Sequence, residues 1–522
     1  MKKSGKKRAE SNRISAWIGR FFLLIILILS FSLKWAYDNF GAVSFDEIVF
    51  HVMMPLDGVS SDMLLDYLSG ALFPAFGVWL LIMSWMLIPV RRGLRLMIRK
   101  GNAEHGIGLF PLTLGSKLAV SILAVWLCIL LFVADQKFAA AAYLKSQFAR
   151  STLIEEEYVS PADVRIRFPE KKRNLICIYI ESGETSSQDY ANGGLCPVNY
   201  IPELTALAKE NVSFSQSDLI EGSSMPPGTE WTIGGLVAET AGLPLKLPAN
   251  YNNSLGRYQR FLPGAKSLGE ILAENDYHNY FMAGSDFSFG GRRDYFSQHG
   301  DYTILDAKWA RKEGKVPADY SVFWGIEDCK LFSIAKETLL EIAAKDEPFN
   351  FSILTVDTHT PNGYVCELCG NEYSNQYANV WACSSSQIGE FVRWIQEQSF
   401  YDNTTVVLSG DHVSMHPSFY GADTKDDFTG QCKRKVYECF VNPAVVPEKE
   451  QFRKFTTMDM FPSVLAAIGA QIEGERLGLG TNLFSGEDTL SEKYGYEYLF
   501  TELKKKSVFY DAKLLFGEFK EN

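Results

Sequence analysis

Four short strings in the chain carry residues that could do chemistry together. They are IYIESGE with Glu181, PPGTEWTIGG with Thr229, TVDTHTP with His359, and VLSGDH, which closes on Asp411 and His412. A carboxylate can ligate a divalent cation, and an adjacent Asp-His pair offers such an ion one oxygen and one nitrogen. Thr229 follows Pro-Pro-Gly and opens a predicted helix. A Thr there commonly serves as an N-cap. The same place also suits a nucleophile, because the backbone N–H groups at a helix start favour an alkoxide and the phosphate it attacks. A hydroxyl bound to a metal is also deprotonated more readily than a free one. Thr232, three residues on and inside the predicted helix, is the rival nucleophile.

Other residues could complete a phosphate site. His359 is placed to hold a phosphate oxygen or to protonate a leaving group. Arg292 and Arg293 follow the Gly-rich aromatic stretch GSDFSFGG, and Arg can clamp phosphate through two parallel hydrogen bonds. His416 lies in the loop beyond His412 and is a further candidate contact. The chain has no G-x-x-x-x-G-K-[ST], no G-x-S-x-G and no H-E-x-x-H, which argues against kinase, α/β-hydrolase and zincin chemistry.

These residues need a scaffold that gathers them. Glu181, His359 and the Asp411-His412 pair each lie at or just beyond the end of an apolar, β-rich run: NLICIYI, FNFSILTV and TTVVLSG. Near-continuous apolar runs read as strands buried on both faces of a parallel sheet, and such sheets gather ligands at the strands' carboxyl ends. Between the runs lie helical segments, among them IPELTALAKE with Pro202 in its first turn, CKLFSIAKETLLEIAAKDE, and TTMDMFPSVLAAIG, stopped by Gly469. From Asn174 onward the order predicts an α/β domain with a mainly parallel, mixed sheet and helices on both faces.

The amino-terminal quarter has a different character. Three runs, about 16–36, 67–90 and 118–134, are long and apolar enough to span a bilayer. Basic residues crowd before the first span and again at Arg91, Arg92, Arg95, Arg99 and Lys100, whereas residues 38–66 hold six acids and neither Lys nor Arg. The positive-inside rule then puts the amino terminus in the cytoplasm and everything after Asp135 on the outer face. The expected organisation is a transmembrane domain over 1–135, a juxtamembrane amphipathic helix and linker over 136–172, and a catalytic domain over 173–522. A net charge of −11 argues against a nucleic-acid partner. In an oxidising compartment, clustered loop cysteines read as disulfides. The expectation is Cys383 with Cys366 or Cys369, and Cys432 with Cys439; a zinc knuckle at Cys366 and Cys369 is the competing reading, and Cys177 reads as core.

The strings IYIESGE, PPGTEWTIGGLVAETAGLPL, MAGSDFSFGGRRDYFSQHG, ILTVDTHTPNGY and VVLSGDH resemble the alkaline-phosphatase/sulfatase superfamily. Within it, the anchor and outer domain look like the membrane-bound phosphoglycerol and phosphoethanolamine transferases, especially the phosphoglycerol transferases of periplasmic glucans, relatives of lipoteichoic acid synthase. The resemblance covers about Asn174 to Phe484. It implies a bacterial inner-membrane enzyme with a periplasmic catalytic domain and one divalent metal ion, Mn2+ or Zn2+, with Mg2+ as an alternative. Thr229 falls on the family nucleophile and, with Glu181, Asp411 and His412, on the metal shell. His359 and either Arg292 or Arg293 fall where phosphate and glycerol are contacted. Phosphatidylglycerol would be the donor and a glycan hydroxyl the acceptor, with a phosphothreonine-type covalent intermediate and release of diacylglycerol. Phosphoethanolamine transfer from phosphatidylethanolamine is the alternative reaction, and a silent glycan-binding or sensor domain is the alternative class. The Cys/Ser-x-Pro-x-Arg signature of sulfate-ester hydrolases is absent around Thr229.

Overall fold

The computed structural model describes residues 2–41, 43–55, 57–59, 61–86, 94–100, 103–110, 117–248, 253, 260–421 and 434–518. They divide into two compact units, one of Met1–Phe40 and Val59–Ala140 and the other of Gly41–Gly58 and Ala141–Asn522.

The first unit contains three helices long and apolar enough to cross a membrane, Trp17–Phe40, Met63–Met86 and Leu118–Phe138. They coincide with the three expected spans, of which residues 87–90 lie outside the described ones. Leu23, Leu27, Ala75 and Ala119 form a small interior. Large apolar side chains such as Leu81, Leu131 and Phe132 point outward, which suits a lipid-facing surface. The chain is thus a membrane-anchored protein. Between the second and third spans the backbone forms an antiparallel hairpin, Leu94–Lys100 against Ala103–Phe110, where the sequence pointed only to a basic loop. Beyond the third span the expected single amphipathic helix is broken into Ala140–Phe148 and Leu153–Glu157, with Ala139 at a φ of 53° as the first break.

The second unit opens with a helix the sequence reading missed, α1 (Phe45–Met53), which is drawn from the loop between the first two spans. The main elements then follow as β1 (Asn174–Ile180), α2 (Pro202–Glu210), α3 (Thr232–Ala241), β2 (His278–Ala283), α4 (Arg292–Gln298), β3 (Thr303–Leu305), α5 (Asp328–Ala343), β4 (Phe349–Leu354), α6 (Gln376–Gln396), β5 (Thr404–Gly410), β6 (Glu438–Val441) and α7 (Met460–Ala467). Six strands form one sheet in the order β3-β2-β4-β1-β5-β6. All neighbours are parallel except β5 and β6, so the sheet is mixed with a parallel centre.

Burial explains the composition of the strands. Every residue of β4 and β5 is buried, which is why both read as unbroken runs rather than as alternating patterns. On one face Ile176, Ile178, Phe351 and Ile353 share a core with Leu331 and Leu339 of α5 and Trp381 and Phe391 of α6. The period of two sends the intervening residues to the other face. There Tyr179 stacks on Phe281 with centroids 5.9 Å apart, and Phe281 packs on Phe296 of α4 at 4.5 Å. Cys177 is buried in β1, as read, and Gly469 follows the end of α7 at a φ of 92°.

The cysteines depart from expectation. Cys366, Cys369, Cys383 and Cys439 are free thiols. Cys439 lies in β6, where its Sγ donates to the Leu207 carbonyl at 3.5 Å. Its expected partner, Cys432, lies outside the described residues.

Candidate functional site

Backbone register brings the first acids together. In the parallel pair β1 and β5, Ile180 lies opposite Gly410, so the next residues on each strand, Glu181 and Asp411, emerge side by side. The approach is tight: a Cβ at Gly410 would lie 1.8 Å from the Gly183 carbonyl oxygen. Ser182, held at a φ of 56°, turns its N–H onto Asp411 Oδ1 at 2.8 Å. The His412 N–H donates to the same oxygen at 2.8 Å. Thr355 Oγ1 accepts the Glu181 N–H at 3.0 Å, which ties the end of β1 to the segment after β4.

Glu181, Asp411 and His412 are all buried, and each offers one ligand atom within 4.8 Å of the others. His412 Nε2 lies 3.6 Å from Glu181 Oε1 and 3.5 Å from Asp411 Oδ2. His412 Nδ1 is 2.8 Å from the Val413 carbonyl, to which it donates, so that Nε2 is the ring atom turned to the acids. Asp411 Oδ2 and His412 Nε2 have no hydrogen-bond partner among the described residues. Burial, and then the neighbouring Glu181, push the Asp411 carboxyl well above its usual range. Two carboxylates in a dry site resist joint ionisation unless a cation joins them. Orphaned oxygen and nitrogen atoms facing a common point fit a divalent cation.

The helix start beside this cluster is α3. Gly235, in its first turn, packs so close to Asp411 that a Cβ would lie 1.8 Å from the Asp411 carbonyl oxygen. Glycine is therefore the residue type that lets α3 begin against the acids. Among the described residues no side chain caps α3, whose N-cap is Trp231. Its first-turn N–H groups are thus open to an anion.

The two threonines separate here. Thr229 is fully buried before the helix, and its Oγ1 donates to the Pro226 carbonyl at 2.7 Å. Gly228 beside it turns at a φ of 87° and donates its N–H to Glu230 Oε2 at 2.6 Å. Thr232 is the first residue of α3, is only partly buried, and its hydroxyl acts to lower the Asp411 pKa against the larger effect of burial. Thr232 is thus the threonine that interacts with the Asp411 carboxylate, while the Thr229 hydroxyl is held by the Pro226 carbonyl. Distance along the helix had counted against Thr232 in sequence; the tight turn at 226–229 moves the helix start to it.

The two arginines separate as well. Arg292 is buried and donates from Nη2 to Ser285 Oγ at 3.2 Å and to the Asp286 carbonyl at 2.9 Å. Burial lowers its pKa to about 10, opposed by the charges of Glu181, Asp286, Asp411 and Asp306. Arg293 is instead paired through Nη2 with the buried Asp306 carboxylate. His359 is half-buried, with its ring 4.7 Å from Trp324 and its Nδ1 2.9 Å from the Thr360 carbonyl. Its neighbour Thr358 donates from Oγ1 to the Glu181 carbonyl, so the loop carrying His359 is tied to the cluster. His416 Nδ1 meets the Pro361 carbonyl at 2.7 Å and its ring packs on Tyr377.

Two supports escaped sequence reading. Glu184 and Arg434 form a buried ion pair, with Arg434 Nε donating to Glu184 Oε2 at 2.9 Å, and Glu184 Oε1 accepts the Ser414 N–H at 3.0 Å. This pins the loop after His412. The second is α1, whose Phe50 packs on Trp231 at 5.4 Å and whose His51 stacks on Phe289 at 5.3 Å. Burial, and then Arg292, lower the His51 pKa to about 4, so the ring is neutral at physiological pH. The acid of the IYIESGE string at 184 carried a signal, a second carboxylate after the strand, but only the fold reveals its partner.

Known proteins share much of this sequence. Phosphoglycerol transferase I of Xanthomonas campestris pv. campestris is 27% identical over 483 residues, covering 90% of this chain and 62% of that protein. The protein of the same name from Salmonella choleraesuis is 30% identical over 344 residues, covering 65% of this chain and 42% of that protein. The chain therefore spans less than two thirds of the length of these curated relatives. Among solved structures, the lipoteichoic acid synthase LtaP from Listeria monocytogenes superposes with a TM-score of 0.48 at 17% identity, over 64% of this chain and 81% of that chain. The lipooligosaccharide phosphoethanolamine transferase A from Neisseria meningitidis gives 0.47 at 12% identity, over 87% and 84%. Residues 173–470 match the protein family described as Sulfatase, more than half of the 522 residues, and the chain belongs to that family.

Proposed function

We propose that the chain is a phosphotransferase that moves phosphoglycerol from phosphatidylglycerol to a glycan hydroxyl, with Thr232 as the nucleophile. The carrying observation is the juxtaposition at one point of the uncapped start of α3, the Thr232 hydroxyl and the orphaned ligand atoms of Asp411 and His412. The names of the relatives supply the group transferred. Glu181, Asp411 and His412 would hold one divalent cation, zinc or manganese by the mix of oxygen and nitrogen donors. When bound, such an ion supplies positive charge that favours a deprotonated hydroxyl and steadies charge on phosphate oxygens.

The chain's own residues perform the rest. Thr232 Oγ1 attacks phosphorus; the Thr–O–P bond forms, the bond from phosphorus to the diacylglycerol oxygen breaks, and the hydroxyl proton passes to the leaving oxygen. Open N–H groups at the start of α3 receive the phosphoryl oxygens. Arg292 faces the accumulating negative charge, and His359 is the group placed to pass the proton. In the second half an acceptor hydroxyl attacks the same phosphorus, the Thr–O–P bond breaks, and the acceptor's proton returns to the Thr232 oxygen. An anchor in the membrane keeps the domain near a lipid donor. By the positive-inside rule that domain faces the periplasm, with the amino terminus in the cytoplasm. A reporter active only outside the cytoplasm should work when fused after Asp135 and fail near Gly101.

The direct test incubates the purified full chain with phosphatidylglycerol or with phosphatidylethanolamine and weighs its peptides. A phosphoglyceryl mass on Thr232, from phosphatidylglycerol alone, is expected. A phosphoethanolamine mass would reassign the donor, and an adduct on Thr229 would reassign the nucleophile. No adduct with either lipid, in a chain that binds metal, would favour a silent binding domain.

A further inference from the structure

A second ligand cluster lies apart from the site above. Residues 355–375, between β4 and α6, carry neither helix nor strand. Connections beyond about 12–15 residues without regular structure are uncommon in compact domains and need some other means of order. Within this stretch Cys366 and Cys369 form a tight turn, with the Cys369 N–H donating to the Cys366 carbonyl at 3.1 Å. Cys383 projects from α6 onto the same point.

The thiol spacing is specific. Cys366 Sγ lies 3.7 Å from Cys369 Sγ and 3.7 Å from Cys383 Sγ. A disulfide needs a bond of about 2.05 Å, much shorter than either separation. Thiolates at about 2.3 Å from a zinc ion at the centre of a tetrahedron lie about 3.8 Å from one another. Cys329, second residue of α5, interacts with Cys366 but lies outside the group of three thiols whose sulfurs all fall within 4.8 Å of one another, so its side chain would have to rotate inward to supply a fourth sulfur. The surroundings fit thiolates: Gln387 Nε2 donates to Cys383 Sγ at 3.2 Å and stands 3.6 Å from Cys366 Sγ. Cys366 and Cys383 are buried, and Cys369 is partly so. Cys-x-x-Cys with two further cysteines from separate elements is the donor set of a closed structural zinc site.

We propose that Cys366, Cys369 and Cys383, completed by Cys329, bind one zinc ion that fastens the 355–375 loop to the start of α5 and to α6. The site is structural, because four protein ligands leave no position for a substrate. Its placement gives it a task. Asp328, next to Cys329, accepts the Val356 N–H at 2.8 Å and the Asp357 N–H at 3.1 Å, so the segment that leads to His359 is held from the same corner. This inference does not depend on the transferase reading.

The test uses the full chain in detergent, isolated without reductant or chelator. Cobalt exchange separates the two clusters, because only a sulfur-ligated ion gives an intense thiolate-to-cobalt charge-transfer band. That band is expected in the parent chain, retained in Asp411→Ala and lost in Cys366→Ser. Cys329→Ser should keep the band and weaken cobalt affinity by about 10-fold or more, as expected of losing one of four ligands. Should Cys366→Ser fail to fold, alkylation of the parent chain decides: protection of these thiols that ends when a zinc chelator is added supports the site. A Cys366–Cys369 or Cys366–Cys383 cross-linked peptide overturns it, as does rapid alkylation of all four thiols with no charge-transfer band.

Discussion

The two ligand clusters of the globular unit are built in opposite ways. Glu181, Asp411 and His412 stand at the ends of central parallel strands, and their meeting follows from one register, Ile180 opposite Gly410. The thiol cluster gathers residues from a long irregular loop and two helices. In the first, the sheet orders the ligands before any ion arrives. In the second, the ion we propose would itself order the backbone. A preformed site should lose chemistry when altered and keep its fold; a site that orders its own loop should lose stability first.

The largest effect therefore belongs to the strand-end cluster. Thr232→Ala should reduce transfer by roughly 10^4-fold while leaving the melting temperature nearly unchanged, since a covalent route disappears as a unit. Thr229→Ala should stay within about a factor of ten of the parent rate, because the Thr229 hydroxyl serves a turn at Pro226. Steady-state release of diacylglycerol checks both. Equal collapse in the two variants would mean that the turn and the nucleophile act as one element, and the separation drawn between them would fail. Cys366→Ser should do the reverse, with a loss of roughly 2–4 kcal/mol of stability and near-normal turnover per folded molecule, read by denaturant titration beside the same assay.

Much of the first cluster was legible in the sequence because its signals are local. An acid just after an unbroken apolar run, as in NLICIYIE, names both the strand and the end at which a ligand gathers. Glu181 sits in one such string and Asp411 and His412 in another, and the resemblance joined them as ligands. The choice between Thr229 and Thr232 was not legible, since it depends on where a turn ends and a helix begins, and boundaries shift by a few residues with tertiary packing. Arg292 and Arg293 are adjacent in sequence, and only their folded surroundings, burial for Arg292 and Asp306 for Arg293, tell them apart. The thiol geometry was hidden for a related reason: cysteine spacing fixes neither a bond nor a ligand shell until the loop is folded. Helix α1 was masked by its setting between two spans, where a short amphipathic run reads as a connecting loop.

The close approach that serves the first cluster gives a smaller, sharper test. Gly235→Ala adds a methyl group where a Cβ meets the Asp411 carbonyl at 1.8 Å, so the start of α3 must move away. Overpacking of this kind costs about 1–3 kcal/mol. Activity should fall more than stability does, because the displaced helix start carries Thr232. Metal content should stay near the parent level, since Glu181, Asp411 and His412 are untouched. Gly234→Ala is a fair contrast, as its nearest neighbour, the Gly228 carbonyl, would be 2.8 Å from the new Cβ. A larger loss of turnover at Gly234 than at Gly235 would show that the contact with Asp411 does not set the geometry.

The smallest expected effect asks whether an orphaned buried carboxylate by itself signals a cation. Glu438, in β6, shares two features with Asp411: it is fully buried, and its Oε2 has no hydrogen-bond partner among the described residues. It lacks the converging imidazole and second acid. Its Oε1 accepts the Phe214 N–H at 2.6 Å and the Ser213 hydroxyl at 3.2 Å. Burial pushes its pKa from 4.5 up to about 8, so the native chain holds a proton that the unfolded chain releases between those values. The sign follows: the stability this group contributes is complete below pH 4.5 and is lost as pH rises through 8. Glu438→Gln keeps the Oε1 acceptor and cannot ionise, so its stability relative to the parent should grow steadily as pH rises from 5 to 8. Denaturant titrations across that range, with and without added zinc, would read it. A difference that grows with pH and ignores zinc marks Glu438 as a plain buried acid, and locates the metal signal at Asp411 in the convergence of ligands rather than in burial. A difference that vanishes on adding zinc would break that distinction, and with it the reasoning that sets the strand-end cluster apart.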